Sequence, residues 1–215
     1  MLIEILLLAG AYLLGSIPTG LLLAKAAGVD IRTTGSGNIG ATNVSRVGGK
    51  ALGVVTLLLD IVKGFLPVFL ARKAGLGADL LALMALAAVL GHVFTPWLKF
   101  QGGKGVATAL GVILATDATL VALPMGVLIL ALWLTPHVSL GSILAAAMVP
   151  VTPILAIMAY APMGASLVKD RGLVLPWLAL AVLVIWKHRE NIARLQAGTE
   201  SKLWGAKQED GHVQG

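Results

Sequence analysis

The segment TTGSGNIGATNVSRVGGK, residues 33–50, carries groups suited to binding an oxyanion, and it lies between two strongly apolar segments. Its glycines permit left-handed turns that leave backbone N–H groups free to point at an anion. Hydroxyl and amide donors add to them, and Arg46 offers a planar cation that matches phosphate oxygens. An ordinary solvated loop of turn residues is the alternative. The candidate phosphate ligands of this segment are Ser36, Gly37, Asn38, Thr42, Asn43 and Arg46.

The same segment contains GSGNIG, residues 35–40, which formally matches the GxGxxG motif of dinucleotide-binding proteins. That fold needs a β-strand before the glycines and a soluble βαβ unit around them, whereas an apolar span follows here. We therefore reject a dinucleotide site.

A second glycine cluster, FQGGKGVAT at residues 100–108, places Lys104 between glycines immediately before an apolar segment. Backbone amides at a helix N-terminus together with an ammonium group favour an anion site, although the sequence is not a Walker A motif. A lysine that only marks the membrane boundary of a helix is the alternative. The candidate ligands here are Gly102, Gly103, Lys104 and Gly105.

A third cluster, WKHRENIARLQAGTE at residues 186–200, follows the last apolar segment. On a helix that continues out of the membrane, His188 and Asn191 share one face, so they can face a common site. A basic helix that only touches lipid headgroups is the alternative, but it leaves Asn191 unexplained. Ser142 is a further candidate because it falls on the same side of the membrane, although such hydroxyls more often cap helices.

The composition places the chain in a membrane. Of its 215 residues 58% are hydrophobic and 12% are charged, a balance that a soluble domain of this size could not bury in one core. The net charge of +6 then concerns orientation and anionic headgroups, and we do not expect nucleic acid as a partner. The chain has no cysteine, and its acidic side chains form no recognisable metal-ligand set.

Five or six apolar stretches qualify as spans, because a helix packed among others needs fewer than the usual number of about 20 residues, and the fourth is too long for one crossing. Asp117 and Pro124 near its middle predict two helices joined by a tight turn. The fold class is therefore an all-α integral membrane protein with seven spanning helices, the N-terminus outside and the C-terminus cytoplasmic. The stretches are residues 2–23, 51–70, 80–98, 106–134, 139–160 and 173–186.

The positive-inside rule supports this orientation. It puts eleven Lys and Arg residues inside and four outside (Arg72, Lys73, Lys169 and Arg171), while Lys63 lies within a span one turn after Asp60. An ion pair that joins helices, or a direct part in the site, would each account for Asp60 and Lys63. The inside residues are Lys25, Arg32, Arg46, Lys50, Lys99, Lys104, Lys187, Arg189, Arg194, Lys202 and Lys207.

The three clusters GSGNIGATNVSR, GGKGVAT and HRENIARLQAGTE, in this order, resemble the PlsY family of bacterial acyl-phosphate:glycerol-3-phosphate acyltransferases across nearly the whole chain. The resemblance implies a multi-pass enzyme of the inner membrane whose active site lies on the cytoplasmic side. It implies transfer of a fatty acyl group from acyl phosphate to the 1-hydroxyl of sn-glycerol 3-phosphate, which gives lysophosphatidic acid and inorganic phosphate in phospholipid biosynthesis. Residues 1–204 would form the acyltransferase domain, and residues 205–215 an unrelated polar tail.

The resemblance also assigns roles to individual residues. Ser36, Asn38, Asn43 and Arg46 would surround one phosphate group, and Lys104 with the amides of residues 102–105 would hold another. Glycerol phosphate and its attacking hydroxyl would be positioned by His188, Asn191 and Ser142. Lys104, His188 and Asn191 are thus the predicted catalytic residues.

Acyl phosphate is an activated mixed anhydride, so orientation and charge stabilisation are the main requirements. We expect direct attack by the glycerol hydroxyl, with its proton passing to His188 or, as we favour, to a phosphate oxygen of the donor. We expect no cofactor and no metal, and a monomer. A phosphate or organic-anion transporter and a noncatalytic scaffold are the alternatives; one-sided polar clusters and the lack of a detected repeat speak against the transporter.

Overall fold

The computed structural model describes residues 1–160 and 174–203, and this part of the chain folds into α-helices joined by short turns. The C-terminal tail predicted at residues 205–215, and the basic residues Lys169, Arg171 and Lys207, lie outside the described residues. The helices are α1 (Leu2–Ser16), α2 (Thr19–Ala26), α3 (Ala41–Gly48), α4 (Lys50–Lys73), α5 (Ala78–Val93), α6 (Val106–Thr116), α7 (Ala122–Leu134), α8 (Val138–Met148), α9 (Val151–Tyr160), α10 (Val174–Lys187) and α11 (Arg189–Gln196).

Four helical segments are long and apolar enough to cross a membrane: Leu2–Ala26, Lys50–Lys73, Ala78–Leu98 and Val138–Leu155. Three shorter apolar helices accompany them, Val106–Thr116, Ala118–Leu134 and Leu175–Lys187. The all-helical architecture predicted from composition is thus confirmed for the described residues.

The first predicted span is not one continuous helix. Helix α1 ends at Ser16 and α2 begins at Thr19, because Pro18 between them has no N–H to continue the helix. The buried ammonium of Lys63 donates to the carbonyl of Ile17 at 2.7 Å and lies 2.8 Å from the carboxylate of Asp60. Asp60 also accepts a hydrogen bond from Thr19 Oγ1. The predicted Asp60–Lys63 pair therefore forms, and it holds the break in the first span against α4.

The long fourth stretch is divided, as predicted. Helix α6 ends at Thr116, and the side chain of Asp117 caps a short turn by accepting from Thr119 N at 2.9 Å. Pro124 lies in the first turn of α7, where a missing N–H costs no intrahelical hydrogen bond. It therefore follows the break and does not cause it.

Helices α4 and α6 approach closely at two glycines. A Cβ on Gly64 would lie 2.3 Å from the carbonyl oxygen of Thr108, and one on Gly111 would lie 2.1 Å from that of Ile61. Small residues of this kind let helix backbones meet in a membrane protein. This contact fixes the start of α6, and with it the loop that carries Lys104, against α4.

Candidate active site

The glycine-rich segment before α3 is organised around one buried side chain, Asn43. Its amide nitrogen lies within hydrogen-bond distance of the carbonyl oxygens of Ile31 (3.0 Å), Thr34 (3.3 Å) and Asn38 (2.9 Å), and its Oδ1 accepts from Ser36 N at 2.8 Å. Backbone groups of the loop thus form hydrogen bonds with both the nitrogen and the oxygen of the Asn43 side-chain amide. Asn43 therefore supports the glycine-rich loop from behind, and its side chain has no donor left for a ligand, in contrast to the ligand role inferred from the sequence.

The other candidates of this segment lie on its accessible side. Ser36, Thr42 and Arg46 are exposed, and Asn38 is half-buried with its Oδ1 accepting from Gly40 N at 2.8 Å. Gly37 adopts a φ of +66°, which an L side chain rarely takes. The N–H groups of Ala41 and Thr42 at the start of α3 have no backbone acceptor among the described residues. Hydroxyls, amides and a guanidinium are therefore available to an anion here.

The second glycine cluster is hydrogen-bonded to the end of α5. Gly102 N donates to Val93 O at 3.0 Å and Gly103 N donates to His92 O at 3.2 Å, which satisfies carbonyls that a helix end leaves without partners. These two amides therefore do not point at an anion, and this part of the prediction is wrong. The N–H groups of Lys104 and Gly105 make no backbone hydrogen bond within the described residues, so they remain candidates.

Lys104 joins the second and third clusters directly. Its ammonium donates to Asn191 Oδ1 at 2.5 Å, and Asn191 Nδ2 donates to Glu200 Oε1 at 2.6 Å. Glu200 also accepts from Ser139 Oγ and from Arg194 Nε, each at 2.8 Å. A continuous chain of hydrogen bonds thus runs from the glycine loop through α11 to the start of α8.

Glu200 and Ser139 have central places in this network that sequence reasoning missed. Glu200 closes the third motif, and its place beside His188 and Asn191 in that motif was the available signal. Burial alone would raise the pKa of Glu200, but hydrogen bonds from Asn191, Arg194 and Ser139 outweigh it and hold this pKa below its usual value. Glu200 is therefore an anion that orients the amide of Asn191 toward Lys104.

The electrostatics of Lys104 connect all three clusters. Burial is the main cause that lowers its pKa to about 8, and the cations Arg194 and Arg46 lower it further, against the opposing charges of Glu200 and Glu190. Arg46 of the first cluster is therefore close enough to influence Lys104. Two cations that repel each other across a partly buried space favour an anion between them.

His188 lies at the junction of α10 and α11, and the helix is interrupted there, so the continuous helix expected from sequence does not form. His188 and Asn191 are nonetheless both buried. His188 Nδ1 lies 2.8 Å from Val184 O, and because a carbonyl only accepts, Nδ1 carries the proton of the neutral ring. Nε2 is then an acceptor. Burial chiefly, and next the charge of Lys104, lower the pKa of His188 to about 4, although the Val184 carbonyl opposes them.

Ser142 lines an apolar cavity of ≈ 70 Å³ between α6, α7, α8 and α10, and its hydroxyl donates to Val138 O at 2.8 Å. Ser139, one turn earlier, touches the polar network instead. Val106 and Val184 also line the cavity, and they are close in sequence to Lys104 and His188. An aliphatic space thus begins beside the polar groups.

Within residues 1–160 and 174–203, no three His, Cys, Asp or Glu side chains are grouped closely enough to hold a metal ion. The charges that this part of the chain offers to an anion are those of lysine and arginine. Cations, amides, a neutral imidazole acceptor and an adjoining apolar cavity together suit a ligand with both a phosphate group and an aliphatic chain.

Comparison with known proteins agrees with this geometry. The family model described as glycerol-3-phosphate acyltransferase matches residues 5–198. The glycerol-3-phosphate acyltransferase of Geobacter metallireducens is 56% identical over 203 residues, covering 94% of this chain and 99% of that protein. The one from Geotalea daltonii is 50% identical over 199 residues, covering 92% of this chain and 96% of that protein.

Two crystal structures of PlsY (YgiH), an integral membrane glycerol 3-phosphate acyltransferase, are also similar. The glycerol 3-phosphate form has a TM-score of 0.78 at 40% identity and covers 94% of this chain and 96% of that one. The lysophosphatidic acid form has a TM-score of 0.76 at 40% identity, with coverages of 93% and 94%. The chain belongs to the glycerol-3-phosphate acyltransferase family, in which the PlsY structures are its solved relatives.

Proposed function

We propose that this enzyme transfers a fatty acyl group from acyl phosphate to the 1-hydroxyl of sn-glycerol 3-phosphate, releasing lysophosphatidic acid and inorganic phosphate. Glycerol 3-phosphate as acceptor rests on the family and on the glycerol 3-phosphate and lysophosphatidic acid forms of PlsY. The observation that carries the proposal is the hydrogen bond from Lys104 to Asn191, with Arg46 close enough to repel Lys104. The hydrogen bond joins the second and third clusters, and the charge of Arg46 acts on the same ammonium from the first cluster. We infer that the three clusters face one phosphate-binding space.

The phosphate-binding roles follow from which groups are free. Ser36, Asn38, Thr42 and Arg46, with the backbone at Gly37, bind one phosphate group from the first segment. Lys104 and the amides of Lys104 and Gly105 bind the other. Gly102, Gly103 and Asn43 support these two loops from behind, since their own hydrogen-bonding groups are occupied.

The reaction needs one bond made and one broken. The 1-hydroxyl oxygen attacks the acyl carbon, the bond from that carbon to the phosphate oxygen breaks, and the electron pair leaves with phosphate. The hydroxyl proton ends on the departing phosphate. His188 is a weak base because its pKa is lowered to about 4, so we assign it to orientation. Before the attack its Nε2 accepts from the 1-hydroxyl and directs an oxygen lone pair at the acyl carbon. As the new C–O bond forms, the same proton leaves this hydrogen bond for an oxygen of the departing phosphate.

Asn191 has a different role, because its Oδ1 already accepts from Lys104 and its Nδ2 donates to Glu200. It holds Lys104 in place until phosphate competes for the ammonium. Ser142 borders the apolar cavity, where its hydroxyl oxygen is close to the boundary between polar and aliphatic parts of a substrate. The reaction as balanced here needs neither a metal nor a cofactor.

In the membrane, we propose seven crossings with the N-terminus outside and the active site on the cytoplasmic side of the bacterial inner membrane. Four long and three shorter apolar helices support that number, and the positive-inside rule supports the orientation. We further propose that residues 1–204 act as one domain and as a monomer, with residues 205–215 as a polar tail.

The direct test is purified protein in detergent, supplied with palmitoyl phosphate and sn-glycerol 3-phosphate. We expect equal amounts of lysophosphatidic acid and inorganic phosphate, and no product when palmitoyl-CoA replaces palmitoyl phosphate. A phosphate transporter would produce nothing without a sealed vesicle. Product from palmitoyl-CoA alone would overturn the assignment of the donor.

A further inference from the structure

A second apolar groove lies on the outer surface of the helix bundle, between α5 and α10. It measures ≈ 510 Å³, is open to the exterior of the bundle, and shares no lining residue with the cavity beside Ser142. The lining residues recur at helical spacing on the two facing helices. They are Leu86 and Leu90 on α5, Phe94 immediately after its last residue, and Ala179, Val182, Leu183 and Trp186 on α10.

One end of this groove carries two cations. The rings of Phe94 and Trp186 have centroids 6.1 Å apart, and the ammonium of Lys187 lies 5.8 Å from each of them. The guanidinium of Arg189 lies 4.7 Å from the Trp186 centroid. In the part of the chain that the structure describes, neither cation lies within 4.0 Å of a carboxylate. Glu190 follows Arg189 in the sequence, but in the described residues it forms no ion pair with either cation. Two positive charges therefore stand at the rim of an apolar groove without a salt bridge.

The groove has the length of one leaflet's acyl chain. Leu86 on α5 and Phe94, the residue after its end, are eight positions apart, a rise of about 12 Å at 1.5 Å per residue. Half of a typical hydrocarbon core is about 15 Å. An occupant whose charged group is held at Lys187 and Arg189 would thus extend along the groove toward the bilayer centre.

This surface is separate from the proposed active site. His188, which lies between Lys187 and Arg189 in the sequence, is buried, whereas Arg189 is exposed and Lys187 is half-buried. The chain therefore directs His188 inward and its two neighbours outward. A second copy of the same surface is a poor occupant, because a two-fold interface would bring the paired cations of both subunits together.

We propose that the α5–α10 groove binds one phospholipid of the bilayer that has a net negative headgroup. Lys187 and Arg189 bind the phosphate, and one acyl chain lies along Leu86, Leu90 and Leu183 beneath the two aromatic rings. The two cations are complementary, because the guanidinium of Arg189 can bind two phosphate oxygens while the ammonium of Lys187 acts as a point charge. The two cations favour a lipid with a negatively charged headgroup, whereas the apolar groove accepts any ordinary acyl chain.

Quenching of Trp186 fluorescence tests this proposal on the full chain in lipid nanodiscs. Lipids brominated on their acyl chains quench tryptophans that they touch, and the difference between wild type and Trp186→Phe isolates Trp186. Each basic residue near a surface contributes appreciably to binding anionic lipid. We therefore expect brominated phosphatidylglycerol, at low mole fraction, to quench Trp186 on the order of tenfold more effectively than brominated phosphatidylcholine.

Two variants make the result specific. Lys187→Gln with Arg189→Gln should abolish the preference, with folding checked by circular dichroism. Lys73→Gln, which removes an ammonium 5.6 Å from the Phe69 ring at the end of α4, should leave it unchanged. Equal quenching by the two lipids, a preference that survives the double substitution, or a Trp186 shielded from both lipids by a protein partner would each overturn the proposal.

Discussion

The ammonium of Lys104 donates a hydrogen bond to Oδ1 of Asn191 at 2.5 Å, although the two residues are 87 positions apart in the chain. Glu200 accepts a hydrogen bond from the NH₂ group of Asn191, so Asn191 presents its oxygen, and not its NH₂ group, to Lys104. The cation is thereby held in place before any phosphate arrives. This arrangement favours electrostatic stabilisation, because the charge needs no reorientation during the reaction.

Replacing Lys104 with alanine removes this positioned charge. We expect Lys104→Ala to lower kcat/KM by roughly 10²- to 10³-fold, as loss of one well-placed charge-stabilising group does. Phosphate release and lysophosphatidate formation measure the effect together. Lys25→Ala, which removes an exposed lysine of α2, is the matched control and should retain activity. Near-normal activity of Lys104→Ala would contradict its role.

The protonation of Lys104 gives a pH dependence. Since its pKa is lowered to about 8, the charged form predominates at neutral pH and is lost as the pH rises through 8. We therefore expect the affinity of the free enzyme for glycerol 3-phosphate to fall above that value. Lys104→Arg, whose guanidinium stays charged, should shift the fall to higher pH. A binding profile that is the same in both proteins would show that this ammonium does not govern binding.

Substitution of His188 distinguishes the two candidate acceptors of the hydroxyl proton, the donor phosphate and His188 itself. If the donor phosphate accepts it, His188→Ala should reduce kcat by about 10²-fold through lost orientation while the pH–rate profile keeps its inflection near neutrality, which belongs to phosphate. The lowered pKa of His188, about 4, places its own titration well below that inflection. Loss of the inflection in His188→Ala, with substrate affinity unchanged, would instead identify the histidine as the base.

Asn43 and Ser36 lie in the same loop but should behave differently. Asn43→Ala removes a buried amide that holds three backbone carbonyls and one N–H, so we expect a loss of about 1–3 kcal/mol in the free energy of unfolding together with lower activity. Ser36→Ala should raise KM and leave the melting temperature unchanged. Thermal unfolding and kinetics on both variants decide this. An Asn43→Ala protein of normal stability would refute the structural assignment.

Gly103 tests how His92 supports the second loop. A Cβ at Gly103 would lie 2.2 Å from His92 Nε2, so Gly103→Ala must displace the ring or the loop that carries Lys104. We expect kcat/KM to fall by roughly tenfold or more, because a small misplacement of a positioning group is costly. His92→Ala should partly restore it in the double variant because it removes the ring. Gly77→Ala is the control, since nothing lies within 4 Å of its added Cβ. Unchanged activity of Gly103→Ala would show that the loop position is not critical.

The sequence predicted which segments carry the site better than it predicted what each residue does there. Residue types alone predicted phosphate chemistry near Arg46, Lys104 and His188, and the structure brings Lys104 of the second cluster into contact with Asn191 of the third. The division of the fourth stretch followed from Asp117. Local patterns also predicted the Asp60–Lys63 pair, since its two members are one helical turn apart.

The remaining errors come from contacts between distant segments. Nothing local shows that the amides of Gly102 and Gly103 bond to the end of α5, or that Asn43 is enclosed by its own loop. The interruption of the last helix at His188 was also missed. Ser139 and Glu200 meet only because α8 and the end of the third motif pack together, 61 positions apart. Such partners depend on the tertiary fold, which no periodicity in the sequence specifies.

In the mechanism proposed above, three separate segments of the chain gather around one phosphate-bearing substrate. A structure of the wild-type enzyme with sn-glycerol 3-phosphate bound tests it most directly. We expect one substrate molecule whose phosphate contacts Lys104 or Arg46 and whose 1-hydroxyl lies within hydrogen-bond distance of His188 Nε2. A substrate bound away from Lys104, or one that touches a single segment only, would contradict it.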